Sequence, residues 1–134
     1  LGVNPMPVIS LAELRDYANE HNDTDYDVTS VRKCLACEML KDRLPGASVD
    51  WIAVGEANTP EIHTSYLRVI PPGFQREEHR YGIPASYIDW CVSVQDAIDK
   101  AYETEGASVP KSYYSGAELV RIINKLEAET VTLD

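Results

Sequence analysis

Apolar residues recur at helical spacing near the start of the chain. Leu14 and Ala18 lie four residues apart, which places them on one side of a helix. Ser10 and Glu13 stand at the two positions of a capping box, where each side chain accepts a hydrogen bond from the other residue's backbone N–H. The pattern therefore predicts a first helix that begins after Ser10 and ends near His21.

A second helical pattern ends at a proline–glycine stop. Its apolar positions, at steps of three and four residues, are Val28, Val31, Leu35 and Met39. Asp27 or Thr29 is the expected cap, and Pro45 follows the expected end at about Leu44. Apolar residues cover a broad arc of this helix, so we expect it to pack on two neighbours or to face a partner, a second copy of the chain included.

The next two segments have the period of β-strands. Val49 to Val54 is short, aromatic and β-branched, and Tyr66 to Ile70 alternates between two faces. An antiparallel hairpin is the simplest pairing, and Pro71 ends its second strand. The polar residues 74–82 predict a surface loop.

Two further helices are predicted in the second half of the chain. Pro84 suits the first turn of a helix that reaches Thr104, whose apolar face holds Ile88, Cys91, Val92, Ile98 and Tyr102. A loop over 106–112 precedes a second capping box, Ser115 with Glu118, which opens the fourth helix. The tail from Thr130 to Leu133 has the composition of an edge strand.

These elements predict an α+β fold of about four helices packed with a small antiparallel hairpin or sheet. We expect a single compact domain over residues 8–134. Residues 1–7 are then a flexible N-terminal segment or an expression remnant, with Met6 as a candidate natural start.

The chain is strongly acidic. Its 22 Asp and Glu against 12 Lys and Arg give a net charge of −10. Such a charge repels nucleic-acid backbones and anionic membranes and favours a basic partner. No apolar run approaches the length that spans a bilayer. We therefore expect a protein partner, no direct nucleic-acid binding and no membrane insertion. The three cysteines do not form a disulfide framework, which predicts a reducing compartment, the cytoplasm.

Two contact surfaces are predicted. Asp89, Asp96 and Glu103 recur every seven residues on the polar side of the third helix and form an expected acidic face. Tyrosine and arginine are common at protein interfaces because they combine contact area with a polar group. The residues expected to form such a surface are Arg76, Arg80, Tyr81, Tyr87, Tyr113 and Tyr114.

Cys34 and Cys37 form a C-x-x-C pair, a spacing used by metal sites and by redox dithiols. We expect both inside the second helix as small buried residues, so no cofactor is predicted. The alternative is a zinc-stabilised domain in which His63 and His79, or Cys91 in place of one of them, complete the ligand set. Redox chemistry ranks lower, because a low-pKa redox thiol is expected at a strand-to-helix turn and this motif is predicted inside a helix.

Catalytic motifs are missing from the sequence. There is no phosphate-binding loop, nucleophile elbow or H-E-x-x-H motif. His63 and His79 are candidate general bases, but each lies in a polar segment with carboxylates close only in sequence. We therefore expect a small non-enzymatic protein-binding or regulatory module, such as an inhibitor that docks on a basic surface; an enzyme with an unfamiliar histidine site is the alternative.

Overall fold

The structure is a computed structural model that describes residues 7–54, 64–73, 76–104 and 110–131. Four helices and five strands occur within those residues, so the predicted α+β class is confirmed. In chain order they are α1 (Leu11–Glu20), β1 (Asp25–Asp27), α2 (Leu35–Arg43), β2 (Ser48–Val54), β3 (Thr64–Ile70), β4 (His79–Gly82), α3 (Ala85–Glu103), β5 (Tyr113–Ser115) and α4 (Gly116–Val131).

Both predicted capping boxes are present. The Ser10 N–H donates to Glu13 Oε2 at 2.8 Å, and the Glu13 N–H donates to Ser10 Oγ at 3.1 Å. At α4 the Glu118 N–H donates to Ser115 Oγ at 3.2 Å. These bonds satisfy backbone donors that a helix start leaves without partners, which fixes where each helix begins.

The predicted start of α2 is wrong, because the helix begins only at Leu35. In the segment before α2, side chains accept hydrogen bonds from backbone N–H groups two or three residues further along the chain. Asp27 Oδ1 accepts from the Thr29 N–H at 3.1 Å, and Ser30 Oγ accepts from the Lys33 N–H at 3.0 Å. Such local bonds compete with helix formation. Cys34 is consequently the N-cap of α2 and not an interior helical residue.

The predicted hairpin of β2 and β3 is confirmed, and a third strand extends it. Register pairs Val49 with Val69 and Trp51 with Leu67. On the other side of β3, residues 79–82 pair antiparallel as β4, although their polar sequence predicts a loop. The backbone of Pro7 and Ile9 continues this edge, through bonds to Gly82 at 2.7 and 2.9 Å.

A second, two-stranded sheet was not predicted. β1 and β5 pair antiparallel with Tyr26 opposite Tyr114. Each strand has three residues, too few to show an alternating pattern. This pairing ties the connector after α1 to the segment before α4.

The core is assembled around α2. Its fully buried residues include Leu35, Cys37 and Met39. Within Leu35–Arg43 the apolar side chains are therefore covered by their own chain, whereas Val31, placed on the same arc by the sequence pattern, is 54% exposed. Contact with a second copy stays a prediction. Leu14 of α1 and Leu119 of α4 belong to the same buried cluster.

Two predictions about helix faces need correction. On α3, Val92 and Tyr102 are 52% and 72% exposed, so only part of the predicted apolar face is buried. On α4, the helix continues to Val131, so Thr130 is helical and does not start an edge strand. Residues 132–134 lie outside the described part of the chain.

Candidate functional site

An acidic groove of about 320 Å³ lies between α1 and α2. Four carboxylates and one guanidinium share it, so it is negative overall. Its lining residues are Glu13, Asp16, Tyr17, Glu20, His21, Asp42 and Arg43. Its carboxylates come from one side of α1 and from the last turn of α2. No single stretch of sequence contains all of them.

Tyr17 fixes the position of one groove carboxylate. Its hydroxyl donates to Asp42 Oδ2 at 2.5 Å. The His21 ring stacks on Tyr17 at 4.3 Å between centroids, and its Nε2 lies 3.8 Å from the same Asp42 oxygen. Burial and then the bond to Asp42 raise the pKa of Tyr17, so the phenol stays protonated and keeps donating at neutral pH.

The other groove carboxylates differ in how far they are already neutralised. Glu13 is engaged in the capping box and lies 3.7 Å from Arg43. Asp16 is exposed, and among the described residues its one ion-pair partner is its neighbour Arg15, at 3.6 Å. Glu20 is exposed and forms no hydrogen bond or ion pair with the residues that the structure describes. Asp16 and Glu20 are therefore available to an incoming cation.

The predicted acidic face on α3 is exposed to solvent. Asp89, Asp96 and Glu103 are all exposed, with about 10 Å of helix rise between successive members. They lie on one convex helix side. Whether they contact a partner stays a prediction.

The predicted arginine and tyrosine surface is not continuous. Arg76 and Arg80 are exposed, and the Arg80 guanidinium lies 4.7 Å from the Tyr66 ring centre. Tyr81 follows Arg80 on β4, so the two side chains point to opposite faces of the sheet. These neighbours in sequence therefore cannot share one contact surface.

Three further members of that surface lie elsewhere, and one was wrongly assigned. Tyr87 is fully buried and stacks on Trp51 at 6.4 Å, which makes it a core residue because its aromatic neighbours exclude water. Tyr114 is half-buried against Trp90 at 5.8 Å. Tyr113 is 59% exposed on β5, and its role as a contact residue stays a prediction.

Cys34 and Cys37 bracket the first turn of α2. Both are fully buried, and their Sγ atoms are 3.5 Å apart. Cys34 donates to Cys37, whose own S–H donates to the Val31 carbonyl oxygen at 3.4 Å. The two thiols thus form a short hydrogen-bonded chain at the start of a helix.

The environment makes the two thiols unequal. The side-chain hydrogen bond with Cys37 and the backbone N–H groups of Ala36 and Cys37 lower the pKa of Cys34, against the effect of burial. The hydrogen bond to Cys34 and then burial raise the pKa of Cys37. Cys34 is therefore the more acidic thiol. Burial also raises the pKa of Cys91, the third free thiol.

The described residues include only part of the predicted metal and histidine sites. His63 lies outside the described residues. His79 is on exposed β4, where its Nε2 lies 3.1 Å from Glu77 Oε1. Among the residues that the structure describes, no three His, Cys, Asp or Glu side chains are grouped as metal ligands. Zinc at Cys34 and Cys37 stays a prediction, which metal analysis of the purified protein tests.

Sequence reasoning missed the buried charge of the sheet. Asp50 on β2 is the one charged residue buried among those described. Its two carboxylate oxygens accept from Arg32 Nε at 2.8 Å and from Arg68 Nη2 at 3.3 Å. An alternating strand places Asp50 on the face opposite Trp51, but nothing local reveals two arginines converging on it.

Comparisons with known protein families, with curated proteins and with solved structures find no match for this chain. Separately, none of the helices in the described ranges is both long and apolar enough to cross a bilayer.

Proposed function

We propose that this chain is a non-enzymatic protein-binding or regulatory module that docks on a basic segment of a partner protein through the acidic groove. The observation that carries the proposal is the pair of available carboxylates, Asp16 and Glu20, beside the anchored Asp42. A lysine or arginine of the partner would gain charge-assisted hydrogen bonds there.

The rigidity of the groove supports the same proposal. Both of its walls are helices that belong to one buried core, through Leu14 on α1 and Leu40 on α2. Pre-positioned charges lose little conformational freedom on binding, so more of the interaction energy is retained. Long-range attraction from the net charge of −10 would also speed encounter with a basic partner.

The wider setting follows from the same features. Three free cysteines suit a reducing compartment such as the cytoplasm. The excess of carboxylates argues against direct binding to nucleic acid. We propose a partner of different sequence, because the apolar residues of α2 within Leu35–Arg43 are buried in their own chain.

Binding of an arginine-rich, fluorescein-labelled peptide, followed by anisotropy, tests the groove. The decisive variant combines Asp16→Asn with Glu20→Gln. The matched control combines Asp89→Asn with Asp96→Asn, which changes the net charge equally on the exposed side of α3. Both sets of residues are exposed, so we expect both variants to fold.

Each exposed ion pair contributes about 0.2–1 kcal/mol. Loss of two pairs should then weaken peptide binding about 2- to 30-fold in the groove variant, with less than about 2-fold weakening in the control. Binding should also weaken steadily up to about 0.5 M salt. Equal losses in the two variants would mean that the peptide responds to net charge and not to the groove, and salt-insensitive binding would remove the electrostatic basis.

A further inference from the structure

The Cys34–Cys37 pair has the geometry of a closable dithiol. The two Sγ atoms are 3.5 Å apart across one helical turn. A disulfide needs about 2.05 Å between sulfurs, so closure requires an approach of about 1.5 Å. Cys34 is the N-cap, and its side chain can rotate without breaking the backbone bond that its carbonyl oxygen accepts from the Glu38 N–H at 3.0 Å.

The two thiols have distinct roles in such a reaction. Cys34 lies at the start of α2, where the backbone N–H groups of Ala36 and Cys37 favour a thiolate. Cys37 lies within the first turn and donates to the Val31 carbonyl oxygen. Cys34 is therefore the attacking sulfur, and Cys37 is the sulfur that closes the bond.

Access restricts the oxidant to a small molecule. Neither sulfur is exposed, which excludes bulky disulfides from direct attack on the folded chain. A hollow of about 300 Å³ is lined in part by Val28, Val31 and Cys91, and neither Cys34 nor Cys37 lines it directly. Val31 is 54% exposed and lines the hollow, and its carbonyl oxygen accepts a hydrogen bond from the Cys37 S–H. Val31 therefore lies between the hollow and the dithiol. Hydrogen peroxide is close to water in size and suits this route.

We infer that Cys34 and Cys37 form a redox site that hydrogen peroxide oxidises to an intramolecular disulfide. The Cys34 thiolate attacks one peroxide oxygen, the O–O bond breaks, and the leaving hydroxide takes a proton to become water. The Cys37 sulfur then attacks the sulfenic acid at Cys34; the S–O bond breaks, and the hydroxyl leaves as water with the Cys37 proton. One peroxide is reduced to two waters, and two thiols become one disulfide.

Oxidation has a local structural consequence. The disulfide has no S–H, so the Val31 carbonyl oxygen loses its bond from Cys37 and keeps only that from the Trp51 N–H at 2.7 Å. The segment 28–34 that borders the hollow is thereby less firmly held. A reducing dithiol restores the bond by returning two electrons and two protons.

The test uses the full chain, reduced, freed of metal by a chelator and exposed to hydrogen peroxide. Intact mass should fall by about two daltons and recover with dithiothreitol. Peptide mapping of the wild-type protein should find the Cys34–Cys37 link, and Cys91→Ser should form it equally. In Cys37→Ser, a sulfenic-acid probe such as dimedone should label Cys34.

Two outcomes would overturn the inference. The first is a wild-type chain that keeps its native circular dichroism and both thiols reduced in excess peroxide. The second is a map that links Cys91 to either partner instead. Mapping of the wild-type chain decides the matter even if a cysteine variant fails to fold.

Discussion

Gly116 opens α4 at the place where α1 ends, and a methyl group there should damage the junction. The Gly116 N–H donates to the Thr24 carbonyl oxygen at 2.9 Å. An ideal Cβ on Gly116 would lie 2.8 Å from Asn22 Cα and closer still to the carbonyl oxygens of Ala18 and His21. All three are backbone atoms, so none can swing aside as a side-chain tip can.

The magnitude of Gly116→Ala follows from two opposing effects. Alanine improves helix propensity by up to about 1 kcal/mol, less at a first helical position. Overpacking typically destabilises by about 1–3 kcal/mol, and contact with three backbone atoms places this site at the upper end. We therefore expect a net loss of about 2 kcal/mol in the free energy of unfolding.

Urea unfolding followed by circular dichroism measures this loss. With an m-value of about 2 kcal/mol/M, the midpoint should fall by about 1 M. The control is Gly73→Ala, where φ is +82° but no atom of the described residues lies within 4 Å of the new Cβ, so conformational strain of about 1 kcal/mol is the expected cost. A Gly116→Ala midpoint equal to or above the wild-type value would show that α1 and α4 do not meet as closely as described.

Three other perturbations have defined outcomes. Asp50→Asn should lower unfolding stability by about 1–2 kcal/mol in urea, because it leaves the two arginines without their carboxylate; a change within error would contradict the role of that pair. Tyr17→Phe should lower stability by about 1 kcal/mol through loss of the bond to Asp42, and unchanged stability would mean that the bond contributes nothing. Between about pH 8 and about pH 10, stability should fall by up to about 1.4 kcal/mol per pH unit for each of Cys37 and Cys91, because their raised pKa values leave the unfolded chain as the state that releases protons. Urea midpoints measured under reducing conditions check this, and a flat profile would refute it.

Local signals predicted the helix starts well. The capping boxes at Ser10 and Ser115 each need only residues within three positions, and both occur where the sequence indicates. The same locality explains the error at α2. Val28 and Val31 continue the helical spacing, but Val28 is buried while Val31 is 54% exposed, so the apparent stripe is not one face. Bonds from Asp27 and Ser30 to nearby backbone decide the conformation instead.

Short strands depend on partners that are distant in sequence. β1 is defined by pairing with β5, some ninety residues later, and β4 by pairing with β3. β1 has only three residues, two acidic and one aromatic, and β4 has four. Both are too short for an alternation of apolar and polar residues that would predict a strand. The acidic groove could not be predicted from the sequence for the same reason, because tertiary packing brings Asp42 beside Tyr17.

The error at α2 also changes the chemistry of the chain. A C-x-x-C pair inside a helix has its backbone N–H groups already bonded, so it offers no stabilisation to a thiolate. At the N-cap, those donors are available to Cys34.

The dithiol lies at the first turn of α2 and Asp42 lies in the last, about 8 Å from Cys37 and about 12 Å from Cys34 along the helix axis. Charge variants in the groove and cysteine variants at the N-cap are therefore independent perturbations. If the peptide failed to bind, the proposed docking groove would be refuted and the inferred redox site would not be affected. If the thiols did not react with peroxide, the redox inference would be refuted and the docking proposal would not be affected.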